Sequence, residues 1–348
     1  MATGWRGRTL LDLLAAHDLD RSPQLDLPND GWSGATFHTL TDLAGRRFVL
    51  KRTTLAQDWI ARATRDDELR EGWLASVARE AFSMPYLGAA ADGDGVALLM
   101  PDLTTELIAW ERPGHDPIID DATLARVITS MARLHTRPWH DEVDTIARRD
   151  GSSTPPWCPL PERLTLLARP SAAVLADAGN AIGDRFLSGW DAFDRLAPAS
   201  ARDLITRLGK DPAPLVKALA QLPAVGLHGD LKLANIALLA DDRVGFIDWQ
   251  MALRAPVAVE LGWFLVANSG SLPTDPDGVL DAYSRALSVT AGDWDVQRDL
   301  TWIVGLLLRG WRKGLDAEAD ARLGSGASAR DDLGWWCQRA VDAAYRRM

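Results

Sequence analysis

The sequence predicts an α+β protein with a small strand-rich first part and a larger, mainly helical second part. Short apolar runs of strand length dominate the first hundred residues, and amphipathic helical patterns dominate the rest, apart from a strand segment at 225–250. Strands and helices segregated along the chain are typical of the α+β class. Because 348 residues are enough for about two domains, we place a domain boundary near Leu103.

Four elements are expected in the first part. Residues 35–40 and 47–52 flank an Asp-Leu-Ala-Gly turn signal and predict a β-hairpin. A helix is expected over 66–79, where leucine, tryptophan and valine recur at helical spacing. Residues 96–100 predict a short apolar strand, which Pro101 ends.

The second part begins with a helix that Asp120 or Asp121 caps and that runs to Thr136. His135 lies on the apolar stripe of this helix, and we expect a core histidine with a hydrogen-bond partner rather than a ligand. Residues 137–161 are expected to be a loop because glycine, serine and proline cluster at its centre. Short amphipathic helices follow at 184–196, 201–208 and 214–222.

Composition argues against several classes of partner. The chain has 38 Lys and Arg against 48 Asp and Glu, a formal net charge of −10. Such a chain lacks the basic surplus for nucleic acid or an anionic membrane surface. Its only cysteines, Cys158 and Cys337, predict two reduced thiols in a cytoplasmic protein. The apolar stretches are too short to span a bilayer, and the first residues lack a signal-peptide pattern.

The clearest chemical signal is Leu-His-Gly-Asp-Leu-Lys-Leu-Ala-Asn at 227–235, followed by Ile-Asp-Trp at 247–249. Apolar runs on both sides of a polar turn at 240–243 predict a hairpin in which Asn235 faces Asp248. Opposed residues have Cβ atoms about 5 Å apart. An amide oxygen and a carboxylate at that separation suit Mg²⁺, which fills its other positions with water and phosphate.

A second carboxylate precedes this hairpin. Asp230 stands five residues before Asn235, on a loop because Gly229 is its neighbour. A carboxylate there can orient a hydroxyl near the same metal ion or accept its proton, and Asp-x-x-x-x-Asn is the spacing of the kinase catalytic loop. Lys232 lies between the two and is placed to reach a transferring phosphate.

These motifs resemble the aminoglycoside phosphotransferase and choline kinase-like family, over about residues 28–310. The resemblance implies a bilobal protein-kinase-like fold. Its small β-rich N-lobe, residues 1–103, would bind the nucleotide. Its larger helical C-lobe, residues 104–348, would carry the catalytic loop, the metal site and the acceptor-binding helices.

The resemblance also implies roles for single residues. Asp230 corresponds to the catalytic base, and Asn235 and Asp248 correspond to the magnesium ligands. His228 matches the catalytic-loop histidine of the family, and we expect it to be structural. One carboxylate at the hydroxyl is sufficient for a kinase, which argues against proton transfer by this histidine.

A kinase-like nucleotide site needs a lysine in the first part of the chain to bind the phosphates. Phe-Val-Leu-Lys at 48–51 is an apolar strand ending in Lys51, like the strand that places a lysine on the α- and β-phosphates. Its partner is expected to be a glutamate on the next helix. We favour Glu71 over Glu80, and we expect Glu68 to face solvent.

Two further segments are candidates for nucleotide contacts. Residues 30–36 match the phosphate loop, in which Ser33 and backbone N–H groups would cover the phosphates; a surface turn is the alternative. Residues 98–103, with Met100 and Asp102, resemble the hinge whose backbone binds adenine. The alternative there is an ordinary edge strand ended by a proline.

Glu260 is the single charged residue in the apolar helical segment 257–265. A buried carboxylate must be partnered. It is either a receptor for a substrate ammonium group or a brace that holds the catalytic loop, as the acidic residue at this family position does. We favour the brace.

The resemblance implies an ATP- and Mg²⁺-dependent phosphotransferase that moves the γ-phosphate to a hydroxyl of a small molecule. Aminoglycosides, aminosugars and amino alcohols are the acceptor classes, and the protein is expected to be a monomer or homodimer. A catalytically silent nucleotide-binding module is the alternative, which the complete set Lys51, Asp230, Asn235 and Asp248 argues against. A metal-dependent hydrolase would need a further histidine pair that the sequence lacks.

Tryptophans are frequent, with 15 in the chain. Four of them lie in or near the helical part, and either an apolar or cation–π wall for a substrate or core packing would explain them. We favour core packing for most of this set, which comprises Trp249, Trp263, Trp302 and Trp311.

Overall fold

The computed structural model describes residues 4–28, 31–77, 84–108, 118–149, 157–240, 242–287 and 291–348. The strands are β1 Leu25–Leu27, β2 Thr36–Thr41, β3 Arg47–Thr53, β4 Gly88–Asp92, β5 Gly95–Pro101, β6 Val225–Leu227, β7 Ile236–Leu238, β8 Val244–Phe246 and β9 Leu253–Ala255. The α-helices are α1 Leu10–Ala15, α2 Trp59–Ala63, α3 Arg70–Val77, α4 Asp121–Thr136, α5 Trp139–Arg149, α6 Leu160–Thr165, α7 Arg169–Asp177, α8 Ala181–Leu196, α9 Ala199–Lys210, α10 Ala213–Leu219, α11 Val257–Ala267, α12 Pro276–Leu287, α13 Ala291–Glu318 and α14 Ala329–Arg347.

The chain divides into two units, and each combines three segments. The first unit consists of Met1–Ile108, Pro138–Cys158 and Asn235–Ala252. The second consists of Ala109–Arg137, Pro159–Ala234 and Leu253–Met348. An antiparallel sheet of five strands dominates the first unit and helices dominate the second, so the predicted α+β class is confirmed. The expected boundary at Leu103 falls inside the first segment, and the division into functional domains 1–103 and 104–348 stays a prediction.

The five-stranded sheet has the order β1-β2-β3-β5-β4. Its central hairpin, β2 with β3, is the one that the sequence predicts, and β5 is the predicted strand at 96–100. Strand β4, which pairs with β5 across a turn at Gly93, was not predicted. Because β5 has a neighbour on each side, the edge-strand interpretation of 98–103 is wrong.

Side-chain alternation in β3 places Leu50 and Lys51 on opposite faces of the sheet. Leu50 belongs to the apolar core that the sheet forms with Leu13, Leu14 and Leu99. Successive side chains of a strand point to opposite faces. Lys51, the next residue, therefore lies on the face opposite that core.

Helix α3 begins later than predicted. The expected helix at 66–79 starts only at Arg70 because Leu69 has a left-handed backbone, with a φ of +51°. Both carboxylate oxygens of Asp66 accept the N–H of Arg70, at 2.8 and 2.9 Å, and so cap the new helix. This start places Glu71 in the first turn of the helix. The end of the expected helix, 78–79, lies outside the described residues.

The predicted loop at 137–161 is wrong over much of its length, because it contains helix α5. Trp139, Val143 and Ala147 recur every four residues and are all buried. This spacing predicts one buried helical face, which the neighbouring Gly/Ser/Pro cluster obscured. That cluster, residues 151–156, lies outside the described residues.

The hairpin formed by β7 and β8 is present, but its predicted register is wrong by one residue. Ile236 pairs with Phe246, and the N–H of Ile247 donates to the carbonyl of Asn235 at 3.0 Å. Asn235 therefore faces Ile247 rather than Asp248. The cause is the turn: Asp242 has a φ of +58°, typical of the left-handed residue that closes a three-residue rather than a four-residue loop.

The second unit is organised around α13, which packs against α8, α11 and α14. The predicted helices at 121–136, 184–196, 201–208 and 214–222 are confirmed as α4, α8, α9 and α10, whereas α6 and α7 were not predicted. Within the described residues, no helix is both long enough and apolar enough to cross a membrane. The core-packing interpretation of the tryptophans is confirmed, since all four of those singled out above are buried.

Close backbone approach between α8 and α13 gives a stability prediction. A Cβ at Gly189 would lie 2.5 Å from the carbonyl oxygen of Trp311, so Gly189→Ala must push the two helices apart. We expect the free energy of unfolding to fall by about 1–3 kcal/mol in urea denaturation. Gly334→Ala is the matched control: a Cβ there meets nothing within 4 Å, so it should stabilise α14 by about 0.5–1 kcal/mol. Equal effects of the two substitutions would contradict this packing.

Candidate active site

A buried lysine joins two carboxylates in the first unit. Lys51 is 3% exposed. Its Nζ lies 2.6 Å from Oε2 of Glu71 and 2.7 Å from Oδ1 of Asp248. The structure thus brings together three predicted site residues from β3, from the first turn of α3 and from the residues after β8.

The alternative partners of Lys51 have other positions. Glu80 lies outside the described residues. Glu68 is exposed, as expected, and pairs with Arg6, with 3.2 Å between Nη2 and Oε2. The predicted preference for Glu71 as the ion-pair partner is therefore confirmed.

The charge of Lys51 follows from these contacts. Burial by itself would lower the pKa of Lys51, but the attraction of Asp248 and Glu71 outweighs burial and raises the pKa above its ordinary value. Lys51 therefore carries a positive charge at neutral pH.

Tyr86, which precedes β4, contacts the same group of residues. Its hydroxyl donates a hydrogen bond to Oε1 of Glu71 and accepts one from the N–H of Asp248, at 2.9 Å. Asp248 has a left-handed backbone, with a φ of +67°. The guanidinium of Arg70, beside Glu71 in the sequence, donates to the carbonyl oxygen of Gln250. The segment 248–250 is thus held at both ends: Tyr86 binds the N–H of Asp248, and Arg70, at the start of α3, binds the carbonyl of Gln250.

Asn235 and Asp248 offer the donor chemistry of a magnesium site. An amide oxygen and a carboxylate are hard oxygen ligands, and Mg²⁺ in nucleotide sites is held by few protein ligands together with phosphates and water. Within the described part of the chain, no group of three or more His, Cys, Asp or Glu side chains forms a closed metal cage. Asn235 and Asp248 are therefore the residues that would hold a metal ion together with nucleotide phosphates.

In the second unit, Glu260 holds the loop that begins at His228. This carboxylate is fully buried, and it accepts the N–H of His228 at 2.9 Å and that of Gly229 at 2.7 Å. Gly229 has a φ of +84°, which lets consecutive N–H groups converge on one carboxylate. This is the geometry that the brace interpretation predicts.

His135 completes the surroundings of Glu260. Its Nε2 lies 3.1 Å from Oε2 of Glu260, and its Nδ1 lies 2.6 Å from the hydroxyl of Tyr283. Burial would raise the pKa of Glu260, but the hydrogen bond from His135 and those from the loop lower it. The expected role of His135 as a core histidine with hydrogen-bond partners is confirmed.

Two side chains that the sequence analysis did not select also hold this loop. Nε of Arg163 donates to the carbonyl of Gly229 at 2.8 Å, and the guanidinium packs over the ring of Trp263, 4.5 Å from its centroid. Oδ1 of Asn268 accepts the N–H of Leu233 at 2.8 Å. The loop is therefore held by side chains at both of its ends.

Asp230 lies within this loop and is 2% exposed. Its N–H donates to Nδ1 of His228 at 3.2 Å, so His228 holds the backbone at Asp230 through a ring nitrogen without its proton. Nζ of Lys232 lies 3.2 Å from Oδ2 of Asp230. The structure thus brings together three predicted loop residues.

The candidate phosphate loop contacts other residues of the first unit. The hydroxyl of Ser33 accepts the N–H of Ala35 at 3.4 Å, and Nε1 of Trp59 donates to the carbonyl of Trp32 at 2.6 Å. Gly34 has a φ of +88°, and a Cβ there would lie 2.6 Å from the carbonyl oxygen of Gln57. Asp30, the first residue of the predicted loop, lies outside the described residues.

The candidate hinge residues lie at the end of β5. Met100 pairs with Val49 in the sheet. Asp102 is held by Arg47: its N–H donates to the Arg47 carbonyl at 3.0 Å, and its carboxylate lies 3.1 Å from Nε of Arg47. Contact of either residue with adenine stays a prediction.

Comparison with known proteins identifies the family. The model of the phosphotransferase enzyme family, named APH, matches residues 25–300, which is more than half of the chain. The chain belongs to this family. The predicted resemblance is thereby confirmed, and the protein is a phosphotransferase. None of the curated proteins compared with the chain matches it with significant similarity.

Several solved structures of phosphotransferases are similar to this chain. An aminoglycoside-3'-phosphotransferase of type VIII has 19% identity and a TM-score of 0.42, over 80% of this chain and 92% of that chain. A Plasmodium vivax ethanolamine kinase has 12% identity and a TM-score of 0.48, over 96% of this chain and 84% of that chain. A macrolide 2'-phosphotransferase from Brachybacterium faecium has 17% identity and a TM-score of 0.45, over 95% of this chain and 96% of that chain.

Three polar residues of this phosphotransferase were missed from the sequence. Asn268 had a detectable signal, because it directly follows the apolar run 257–267 at a helix end. Tyr86 and Arg163 had none, because both lie outside any periodic pattern and their partners are far away in the sequence.

The brace can be tested through stability. Glu260→Gln replaces one acceptor oxygen by an NH₂ donor, so a buried N–H group of the loop loses its partner. We expect the free energy of unfolding to fall by about 2–3 kcal/mol. Glu318→Gln is the control, since Glu318 is half exposed and pairs only with Arg195 among the contacts described; its loss should cost less than about 1 kcal/mol. Similar losses for both would argue against the brace.

The first unit also contains a carboxyl group with a pH-dependent contribution to stability. Burial raises the pKa of Asp58 to about 6, against the opposing hydrogen bond from Ala61 and the attraction of Lys51. In the unfolded chain the pKa is about 4. Between pH 4 and 6 the folded state therefore binds more protons, and stability falls as the pH rises, by up to about 3 kcal/mol from this group.

Asp58 caps α2, where its side chain accepts the N–H groups of Ile60 and Ala61. We expect Asp58→Asn to flatten that fall in urea denaturations between pH 4.5 and 7, because asparagine keeps this cap but does not titrate. Asp120→Asn is the matched control. Asp120 caps α4, and hydrogen bonds from Thr123 lower its pKa. It should leave the fall between pH 4.5 and 7 in place. Parallel curves for Asp58→Asn and the wild type would contradict the assignment.

Proposed function

We propose that this phosphotransferase transfers the γ-phosphate of ATP, with Mg²⁺, to a hydroxyl group of a small molecule. The observation that carries the proposal is the buried group of Lys51, Glu71 and Asp248. A permanently charged lysine between two carboxylates has no packing purpose that an apolar side chain would not serve better. It is the arrangement that a kinase uses on nucleotide phosphates.

Each member of this group has a proposed role. Lys51 binds the α- and β-phosphates, and Glu71 fixes the position of its Nζ. Asp248 and Asn235 hold Mg²⁺, which neutralises charge on the phosphates when it is bound. Ser33 and its neighbouring N–H groups cover the phosphates, and the backbone around Met100 and Asp102 binds adenine.

Asp230 is the proposed catalytic base. It orients the acceptor hydroxyl and takes its proton while the hydroxyl oxygen bonds to the γ-phosphorus and the bond from that phosphorus to the β-phosphate oxygen breaks, so that ADP leaves. Lys232, whose Nζ lies 3.2 Å from Asp230, is proposed to contact the transferring phosphate. The contacts of Glu260, Arg163 and Asn268 with the loop support this role, because they fix the backbone that carries the carboxylate.

The acceptor is proposed to be an aminoglycoside, an aminosugar or an amino alcohol. This class rests on the resemblance of the motifs at 228–235 and 247–249 to the family that acts on such compounds. An ATP-consumption screen over these classes and macrolides identifies the acceptor.

With that acceptor, Asp230→Asn tests the base. We expect kcat to fall about 10³-fold, because the amide cannot take the proton, while the affinity for MgATP stays within about threefold. Steady-state kinetics and equilibrium nucleotide binding measure the two effects. Asp203→Asn, an exposed residue of α9, is the control and should retain wild-type kinetics. Wild-type transfer by Asp230→Asn would refute the assignment.

Two further measurements, equilibrium binding of MgATP and phosphoester hydrolysis without ATP, separate the alternatives. Binding of MgATP without transfer to any compound would favour a catalytically silent module. Hydrolysis of phosphoesters without ATP would favour the metal-dependent hydrolase.

A further inference from the structure

The hydroxyl of Tyr86 joins two nucleotide-site groups that lie far apart in the sequence. It donates to Oε1 of Glu71 and accepts the N–H of Asp248 at 2.9 Å. The side chain is 3% exposed. All of these residues belong to the first unit.

The direction of both hydrogen bonds follows from chemistry. Burial raises the pKa of Tyr86 well above its ordinary value, and the negative charge of Glu71 raises it further, so the hydroxyl keeps its proton. A carboxylate only accepts and a backbone N–H only donates. The single proton of the phenol therefore points to Glu71, and an oxygen lone pair points to Asp248.

Together with Lys51, these contacts form a closed ring. Lys51 binds the other oxygen of Glu71, at 2.6 Å, and the side chain of Asp248, at 2.7 Å. The two oxygens of Glu71 thus have different partners, and rotation of its carboxylate would break both bonds. Asp248 is held at two points, its N–H and its carboxylate.

Holding Asp248 at its N–H is significant because of its backbone. A non-glycine residue with a φ of +67° is strained, and such a conformation persists only where the surroundings fix it. The backbone conformation in turn sets the direction of the side chain. A contact that fixes the N–H therefore also orients the carboxylate.

We propose that Tyr86 is a positioning residue: through its hydroxyl it couples the Lys51–Glu71 pair to the backbone of Asp248 and so orients the Asp248 carboxylate toward the metal ion of a bound nucleotide. The inference rests on the proposed function, because it concerns the same metal ligand. It predicts that the hydroxyl contributes to the metal-dependent part of nucleotide binding and not to the metal-free part.

Calorimetric titration of the full chain with ADP, once with Mg²⁺ and once with EDTA, tests this prediction. The ratio of the two affinities is the metal enhancement. In Tyr86→Phe, which removes only the hydroxyl, we expect the enhancement to fall about tenfold while binding in EDTA stays within about twofold. An unchanged enhancement in Tyr86→Phe overturns the inference.

Tyr283→Phe is the matched control. Tyr283 is also buried, and its hydroxyl bonds to His135 in the second unit. Its loss should lower the melting temperature by a similar amount but leave the metal enhancement as in the wild type. If both variants lowered the enhancement equally, the effect of Tyr86 would be one of general stability, and the inference would fail.

A double-mutant cycle gives a second test that does not depend on the size of the single effect. If Tyr86 acts through the ring, Tyr86→Phe should change the enhancement by less than about threefold once Glu71→Gln has opened the ring. Additive effects overturn the proposal. Absence of metal-dependent ADP binding in the wild type would instead refute the proposed function itself, which distinguishes the two failures.

Discussion

Burial of one positive charge constrains the whole first unit. An ammonium group removed from water costs several kcal/mol unless partners replace its hydration, so Lys51 requires nearby carboxylates. Glu71 and Asp248 provide them from different parts of the chain. Helix α3, which begins directly after the left-handed Leu69, supplies Glu71 from its first turn, and Asp248 also has a left-handed backbone. The backbone strain at Leu69 and Asp248 is thus offset by the ion pairs of Lys51 with Glu71 and Asp248.

The sequence contained the site residues but only part of their arrangement. Lys51 and Glu71 could be paired in advance, because an apolar strand ending in lysine and a following helix leave few candidates. The register of β7 and β8 could not be predicted in the same way. Adding or removing one residue in the turn changes which residues of the two strands face each other, and side-chain alternation alone does not fix the length of the turn. Aspartate tolerates a left-handed backbone without requiring it, so Asp242 gave no signal of the shorter loop.

A similar limit applies to the second unit. One carboxylate in an otherwise apolar helix indicated that Glu260 is buried and partnered. The family resemblance indicated that Glu260 holds the catalytic loop, but not that its partners there are the backbone N–H groups of His228 and Gly229, since backbone groups leave no trace in composition. The helices of this unit were predicted best where a full apolar face was visible, and least well where helices were short, as in α6 and α7.

The two buried networks differ in how they respond to charge. Glu260 accepts hydrogen bonds from the backbone N–H groups of His228 and Gly229, which carry no charge, and it also contacts His135. Lys51, in contrast, shares its charge between two carboxylates, and this group of three carries one net negative charge. Such a group would repel a polyphosphate. A divalent cation at Asp248 would make the net charge positive, so the charge of this group favours binding of the phosphates together with a metal ion over binding of the phosphates alone.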